Sequence, residues 1–344
     1  MANEANIADH RRGPGGRRSP RSRSQGGNWA GPVLRVGLVN NTPEAAFWHT
    51  HRQFVDLIRA GSRGFDVELR CYRIPSVADD SEVGADVECS LGYEGIEAIY
   101  ANPPDALVVT GTEPLTPDLT AERYWSPLVD LLRWAEATVP STFLSCLAAH
   151  AALQALDGVE RRPLAVKRSG VYPQPVDQAH PLGRGLGSVA AFPHSRCNDV
   201  PGSPLQSIGY RIVIGSATGD WTVVARERAR RMLVLVQGHP EYEPTTLLRE
   251  FHRDLRRFAE GSTSIPPRIP VRYLDTTGEI GLKVLRASVE SWAPRSGHGG
   301  FPLDALAGHI ASDWSRAAVR LFANWIQDVG RRLDTCSRRE HAHA

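Results

Sequence analysis

The chain has 344 residues, 41% apolar and 23% charged, with a formal net charge of +2 at pH 7. A chain of this length and apolar content can bury a sizeable core, and so weak a net charge excludes a general polyanion-binding surface. Five cysteines, Cys71, Cys89, Cys146, Cys197 and Cys336, lie without CxxC spacing, which suggests neither a zinc site nor a disulfide framework and suits a reducing compartment.

Residues 1–32 carry Arg11, Arg12, Arg17, Arg18, Arg21 and Arg23 among Gly, Pro and Ser. That composition cannot build a packed core, so a disordered arm is expected, and a basic run of this kind is usually a solvated tail rather than a nucleic-acid site. Residues 33–40 read as a first buried strand, 41–43 as a turn, 45–60 as a helix, and 65–72, alternating apolar and polar, as a more exposed strand. A long loop with Asp79, Asp80 and Glu82 leads to a short β-rich run at 106–110, broken by Gly111-Thr112-Glu113-Pro114. Residues 124–137 look helical, 138–145 form an apolar run of strand length, and 147–156 have helix-forming composition without a breaker. This alternation predicts an α/β fold, an open and mostly parallel sheet flanked by helices, as one domain over 33–330. From about 164 the texture changes to β segments punctuated by Gly and Pro, at 186–193, 205–214, 221–225 and 232–236, expected to extend or edge the same sheet. Residues 245–258 are helical in pattern, Pro266, Pro267 and Pro270 mark a linker, and 310–329 space Trp314, Val319, Phe322 and Ile326 as one helix face. Residues 331–344 read as a flexible tail. The Gly-rich stretch 292–300 has no phosphate-cradle pattern. With no apolar stretch of membrane-span length and no apolar N-terminal signal, a cytoplasmic protein is expected.

Two motifs carry chemistry. Cys146 ends the apolar run 138–145 just before a helix, where the positive helix end favours a thiolate and free N–H groups could hold an oxyanion. His239-Pro240-Glu241 closes the apolar run 232–238, and if the chain stays extended through Pro240, His239 and Glu241 share a face. A single such cysteine is usually an inert core thiol, and a single His-Pro-Glu is usually a turn. Both at the carboxyl ends of strands in a parallel sheet, they read instead as a nucleophile with its base and orienting acid.

The segments VGLVNNTPEAAF, DALVVTGTEP with Tyr124-Trp125, SCLAAHAAL, KRSGVY, PHSR, GHPEY, EFHRD and SDWSRAAVRLFANWI run in order through residues 33–329. In them the chain resembles the homoserine O-acyltransferases of the homoserine O-succinyltransferase type, built on a class I glutamine amidotransferase-like, flavodoxin-like fold. The resemblance implies that Cys146 is acylated from a coenzyme A thioester, that His239 is the general base and that Glu241 orients it. It implies that Lys167, Ser195 and Arg253 bind substrate; read without it, Lys167 and Arg253 would be solvent-facing charges and Ser195 a turn residue. Leu115, with Glu113 beside it, falls where the family sorts succinyl from acetyl donors, and a bulky residue there hints at the shorter group. The implied substrates are an acyl-coenzyme A and L-homoserine, with serine as an alternative acceptor, in methionine biosynthesis. No metal and no bound cofactor is implied, coenzyme A entering as a co-substrate, and relatives of this type are often homodimers.

Two other readings compete. A glutamine amidase or amidotransferase shares the fold and a similar GHPE segment, but usually flanks its cysteine with glycines, where this chain has Leu144-Ser145-Cys146-Leu147-Ala148. A non-catalytic binder working through its Arg-rich arm would have no need for Cys146, His239 and Glu241 together.

Overall fold

A computed structural model describes residues 33–74, 91–216, 219–290 and 303–340. The Arg-rich arm, the loop with Asp79, Asp80 and Glu82 and the stretch 292–300 lie outside the described residues. The strands are β1 (Leu34–Val39), β2 (Val67–Arg73), β3 (Tyr93–Gly95), β4 (Ala106–Val109), β5 (Ser141–Ser145), β6 (Arg162–Pro175), β7 (Val189–Asp199), β8 (Arg211–Gly215), β9 (Trp221–Arg228) and β10 (Arg231–Val236).

Eight strands form one sheet in the order β3-β2-β1-β4-β5-β10-β9-β8. From β3 to β10 every pairing is parallel, and β9 and β8 then add antiparallel at the far edge. The central strands are buried on both faces, which is why they read as continuous apolar runs rather than alternating ones. On one face Val36, Leu38, Val108, Phe143 and Val234 join residues of helices Glu44–Gly61 and Ser315–Glu340; on the other Val39, Leu107, Val109, Leu144 and Leu235 join helices Trp125–Thr138 and Leu147–Asp157. The result is a doubly wound α/β sheet, as the alternation of apolar runs predicts. The order in which strands are added to the sheet reverses between β1 and β4, and all parallel strands end at one edge, where such sheets place their sites.

Three expectations need correction. The run at 186–193 does not extend the main sheet: it lies in β7, which pairs antiparallel with β6 as a separate two-stranded sheet. The segment 205–214 is a short helix, Ser203–Ser207, followed by β8, because Gly209 at φ 92 turns the chain between them. The last helix continues to Glu340, past the boundary set at 330, with Arg332 fixed by Glu227 at 2.9 Å and by Asp328 at 2.5 Å. A further helix, Thr276–Glu290, has no counterpart in the sequence reading.

Candidate active site

Cys146 stands at the carboxyl end of β5 with φ 51° and ψ −112°, a left-handed conformation that L-residues avoid. Its amide donates to the Val236 carbonyl at the end of β10, 2.7 Å away, which ties the turn to the neighbouring strand. Helix Leu147–Asp157 begins at once, so the Leu147 amide is a first-turn donor without an intrahelical acceptor. Gly111, after β4, packs against this turn so closely that a Cβ there would meet Leu147 N at 2.9 Å and the Cys146 Cβ at 3.3 Å. The sharp turn thus holds the thiol, partly exposed, beside helix-end donors that suit a developing oxyanion.

His239 follows β10, its amide bound to the Pro193 carbonyl of β7 at 2.8 Å. Its Nδ1 lies 2.8 Å from Glu241 Oε1. A carboxylate only accepts, so Nδ1 carries a proton and Nε2 is left for chemistry. Nε2 is buried and has no hydrogen bond of good geometry. Burial works against a charged ring, but Glu241 first and Cys146 next outweigh it, and the His239 pKa is raised well above its ordinary 6.5. The sulfur is therefore a close neighbour of the imidazole, acting on it through both charge and hydrogen bonding. Tyr242 stacks on the ring at 4.2 Å and 18°.

The substrate-binding candidates gather beside this pair. Helix Thr246–Ala259 buries Leu247, Leu248, Phe251 and Leu255, while Glu250, Arg253, Asp254 and Arg257 repeat at helical spacing as a polar face. Lys167, in the bulged part of β6, donates to Asp254 at 2.6 Å and lies 3.7 Å from Glu250. Ser195 of β7 donates to Glu250, as does the Tyr242 hydroxyl at 2.7 Å. Arg253 holds Asp254 at 3.0 Å, and Arg257 holds Glu113 at 2.7 Å with Arg253 at 3.8 Å. Burial raises the carboxyls of Asp254 and Glu113, yet Lys167 and Arg253 for the former, and Arg257 and Arg253 for the latter, bring both below their ordinary values.

Lys167, Ser195 and Arg253 thus converge, as does Glu113. Leu115 does not join them, its side chain being 89% exposed. Tyr242, Glu250, Asp254 and Arg257 belong to the same cluster and were missed by sequence reasoning; the one available signal was the 250, 253, 254, 257 spacing opposite an apolar helix face. Among the described residues no group of three or more His, Cys, Asp or Glu could hold a metal ion, and no helix is long and apolar enough to cross a membrane.

The homoserine O-succinyltransferase family model matches residues 23–333. A homoserine O-succinyltransferase of Methylorubrum extorquens is 39% identical over 308 residues, 89% of this chain and 91% of that protein. Another, of Rhodopseudomonas palustris, is 39% identical over 297 residues, 86% and 88% of the two chains. Among solved structures, a glutamine amido transferase from Methylobacillus flagellatus is similar with a TM-score of 0.47 and 14% identity, covering 86% of this chain and 96% of that one. With the family pattern spanning nearly the whole described core, the chain belongs to the homoserine O-succinyltransferase family and is an acyltransferase.

Proposed function

We propose that this chain moves an acyl group from an acyl-coenzyme A to the hydroxyl of L-homoserine in two half-reactions through a thioester on Cys146. In the first, the Cys146 sulfur attacks the donor carbonyl as its thiol proton passes to His239 Nε2. A new S–C bond forms, the S–C bond to coenzyme A breaks, and the coenzyme A sulfur leaves with the proton held at His239 Nε2. In the second, Nε2 takes the proton of the acceptor hydroxyl as its oxygen attacks the thioester; the C–O bond forms, the enzyme S–C bond breaks, and Cys146 departs as thiolate. Glu241 holds the imidazole in the tautomer that both steps need. The amino-acid acceptor carries both signs of charge. Arg253 and Lys167 suit its carboxylate and Glu250 its ammonium, each now occupied by another member of the network. A free thiol of this kind needs a reducing compartment, which supports a cytoplasmic reaction.

The observation that carries this reading is the strained Cys146 turn at a helix start, set beside an imidazole whose Nδ1 is fixed by Glu241 and whose Nε2 is buried without a partner. Homoserine as acceptor draws support from the names of the 39% identical relatives, with serine as the alternative to include in the assay. The test is intact-protein mass spectrometry after mixing the protein with an acyl-coenzyme A alone, followed by peptide mapping. A stable acyl adduct on Cys146, discharged by homoserine, is expected. Normal turnover by Cys146→Ala, or ammonia release from glutamine in place of acyl transfer, would sink the proposal.

A further inference from the structure

Two buried polar side chains beside the nucleophile take no part in either half-reaction. His150 lies one turn after Cys146 on helix Leu147–Asp157, in a stretch that is otherwise Leu and Ala, and Gln237 lies two residues before His239. They are 3% and 0% exposed. Their hydrogen bonds fix which atom is which. The Val200 amide can only donate and the Trp221 carbonyl can only accept, so the Gln237 carboxamide oxygen is the atom 3.3 Å from Val200 and its nitrogen the atom 3.3 Å from Trp221. His150 Nε2, 2.8 Å from that oxygen, must therefore carry a proton and donate it. Burial pushes the His150 pKa down to about 4, so the imidazole stays neutral in this tautomer at neutral pH.

Together these bonds close a circuit around the nucleophile. The Cys146 amide donates to the Val236 carbonyl at 2.7 Å, the next residue is Gln237, its side chain accepts from His150, and the His150 amide donates back to the Cys146 carbonyl at 3.2 Å. Cys146 is thus tied, by its own N–H and C=O, to the strand end that delivers His239. Gly238, between Gln237 and His239, is packed so closely that a Cβ would meet Thr222 Cγ2 at 2.9 Å and the Pro193 carbonyl oxygen at 3.2 Å, which leaves this segment little room to shift. An apolar pair could fill the same space without the cost of desolvating an imidazole and a carboxamide. What the polar pair adds is direction, because a hydrogen bond fixes distance and angle where apolar contact does not. We propose that His150 and Gln237 act as one pair of positioning residues that sets the separation between the Cys146 sulfur and His239 Nε2. This rests on the Cys146 thioester reading above and names the residues that hold its geometry. A misplacement of about 1 Å between reacting groups can cost about 10²-fold in rate.

The test follows both half-reactions by intact mass, acylation of Cys146 from succinyl- or acetyl-coenzyme A and its discharge by homoserine. The proteins compared are the wild type, His150→Leu, His150→Gln, Gln237→Met and the double variant His150→Leu with Gln237→Met. His150→Leu and Gln237→Met should each slow both half-reactions by about 10- to 100-fold and leave the KM for homoserine unchanged. His150→Gln, which keeps an N–H donor near the place of Nε2, should restore the rate. The double variant should lose no more than either single one, since the pair acts through one bond. Thermal melting checks folding, and rates are read well below each melting temperature, so that lost stability alone does not register. The double variant, in which neither side chain keeps an unmet partner, carries the test if a single variant does not fold. Wild-type rates in any folded apolar variant, a His150→Gln as slow as His150→Leu, or losses that multiply in the double variant would overturn this inference alone. No adduct on Cys146 of the wild type from either donor would overturn the thioester reading and this one with it.

Discussion

Cys146 holds its φ of 51° although a side chain there is strained by roughly 1–3 kcal/mol. The hydrogen bond from its amide to Val236 and the helix that starts at Leu147 over-determine the turn. Glycine has no such penalty, so Cys146→Gly should be inactive yet more stable than Cys146→Ala by about 1 kcal/mol or more in chemical denaturation. Equal stability of the two would show that the turn stores no strain. In the proposed mechanism Glu241 acts on the reaction only through His239, its Oε1 lying 2.8 Å from Nδ1. Replacing it in Glu241→Gln keeps a hydrogen-bond acceptor but removes the charge that raises the imidazole, so the rate should fall by roughly 10²–10⁴ and the acid limb of the pH–rate profile should move to lower pH. An unmoved acid limb would mean that another group controls that ionisation.

At the level of elements, the site is assembled from the carboxyl ends of β4, β5 and β10, the β6–β7 hairpin and helix Thr246–Ala259, each making a separable contribution. In the proposed reaction the helix offers its polar face to the acceptor rather than to the acyl donor. Glu250→Gln is therefore expected to leave formation of the Cys146 adduct unchanged in single-turnover mass spectrometry and to raise the KM for homoserine. Loss of both half-reactions would place Glu250 with the nucleophile instead. Packing between elements is equally specific where helices Glu44–Gly61 and Ser315–Glu340 cross. A Cβ on Gly61 would lie 2.7 Å from the Phe322 Cβ and 3.0 Å from its backbone carbon, so Gly61→Ala should destabilise the fold by about 1–3 kcal/mol in urea, with the active site intact.

Across the whole molecule, buried histidines are expected to contribute to the response to acid. His150 is fully enclosed, with Nε2 2.8 Å from Gln237 Oε1, and burial pushes its pKa down to about 4. Its folded value lies below the unfolded 6.5, so its contribution is complete above pH 6.5 and is lost as pH falls towards 4, on the order of 3 kcal/mol in total. Burial and Arg196 lower His194 in the same sense. His239, raised, acts oppositely: its contribution is complete below pH 6.5 and fades as pH climbs through its folded value. His150→Gln should accordingly move the acid-unfolding midpoint to lower pH, as read by circular dichroism. A midpoint that stays in place would assign the acid sensitivity to His194 or to the carboxylates.

The sequence by itself determined the wound sheet and the positions of Cys146, His239 and Glu241 along it. Those features are written in local patterns, apolar runs that must be buried and the strand ends that follow them. Helix Thr276–Glu290 escaped because Gly278 and Gly281 weaken its pattern, and their purpose shows only in contacts: a Cβ would meet His309 at 2.7 Å and Leu306 at 2.9 Å. The tertiary structure alone decided that β6 and β7 leave the main sheet and that Glu250 joins Ser195, Lys167 and Tyr242. Charged and hydroxyl side chains can point to solvent in any element. Their roles depend on which distant partners the fold brings within about 3 Å, and nothing in local periodicity encodes that.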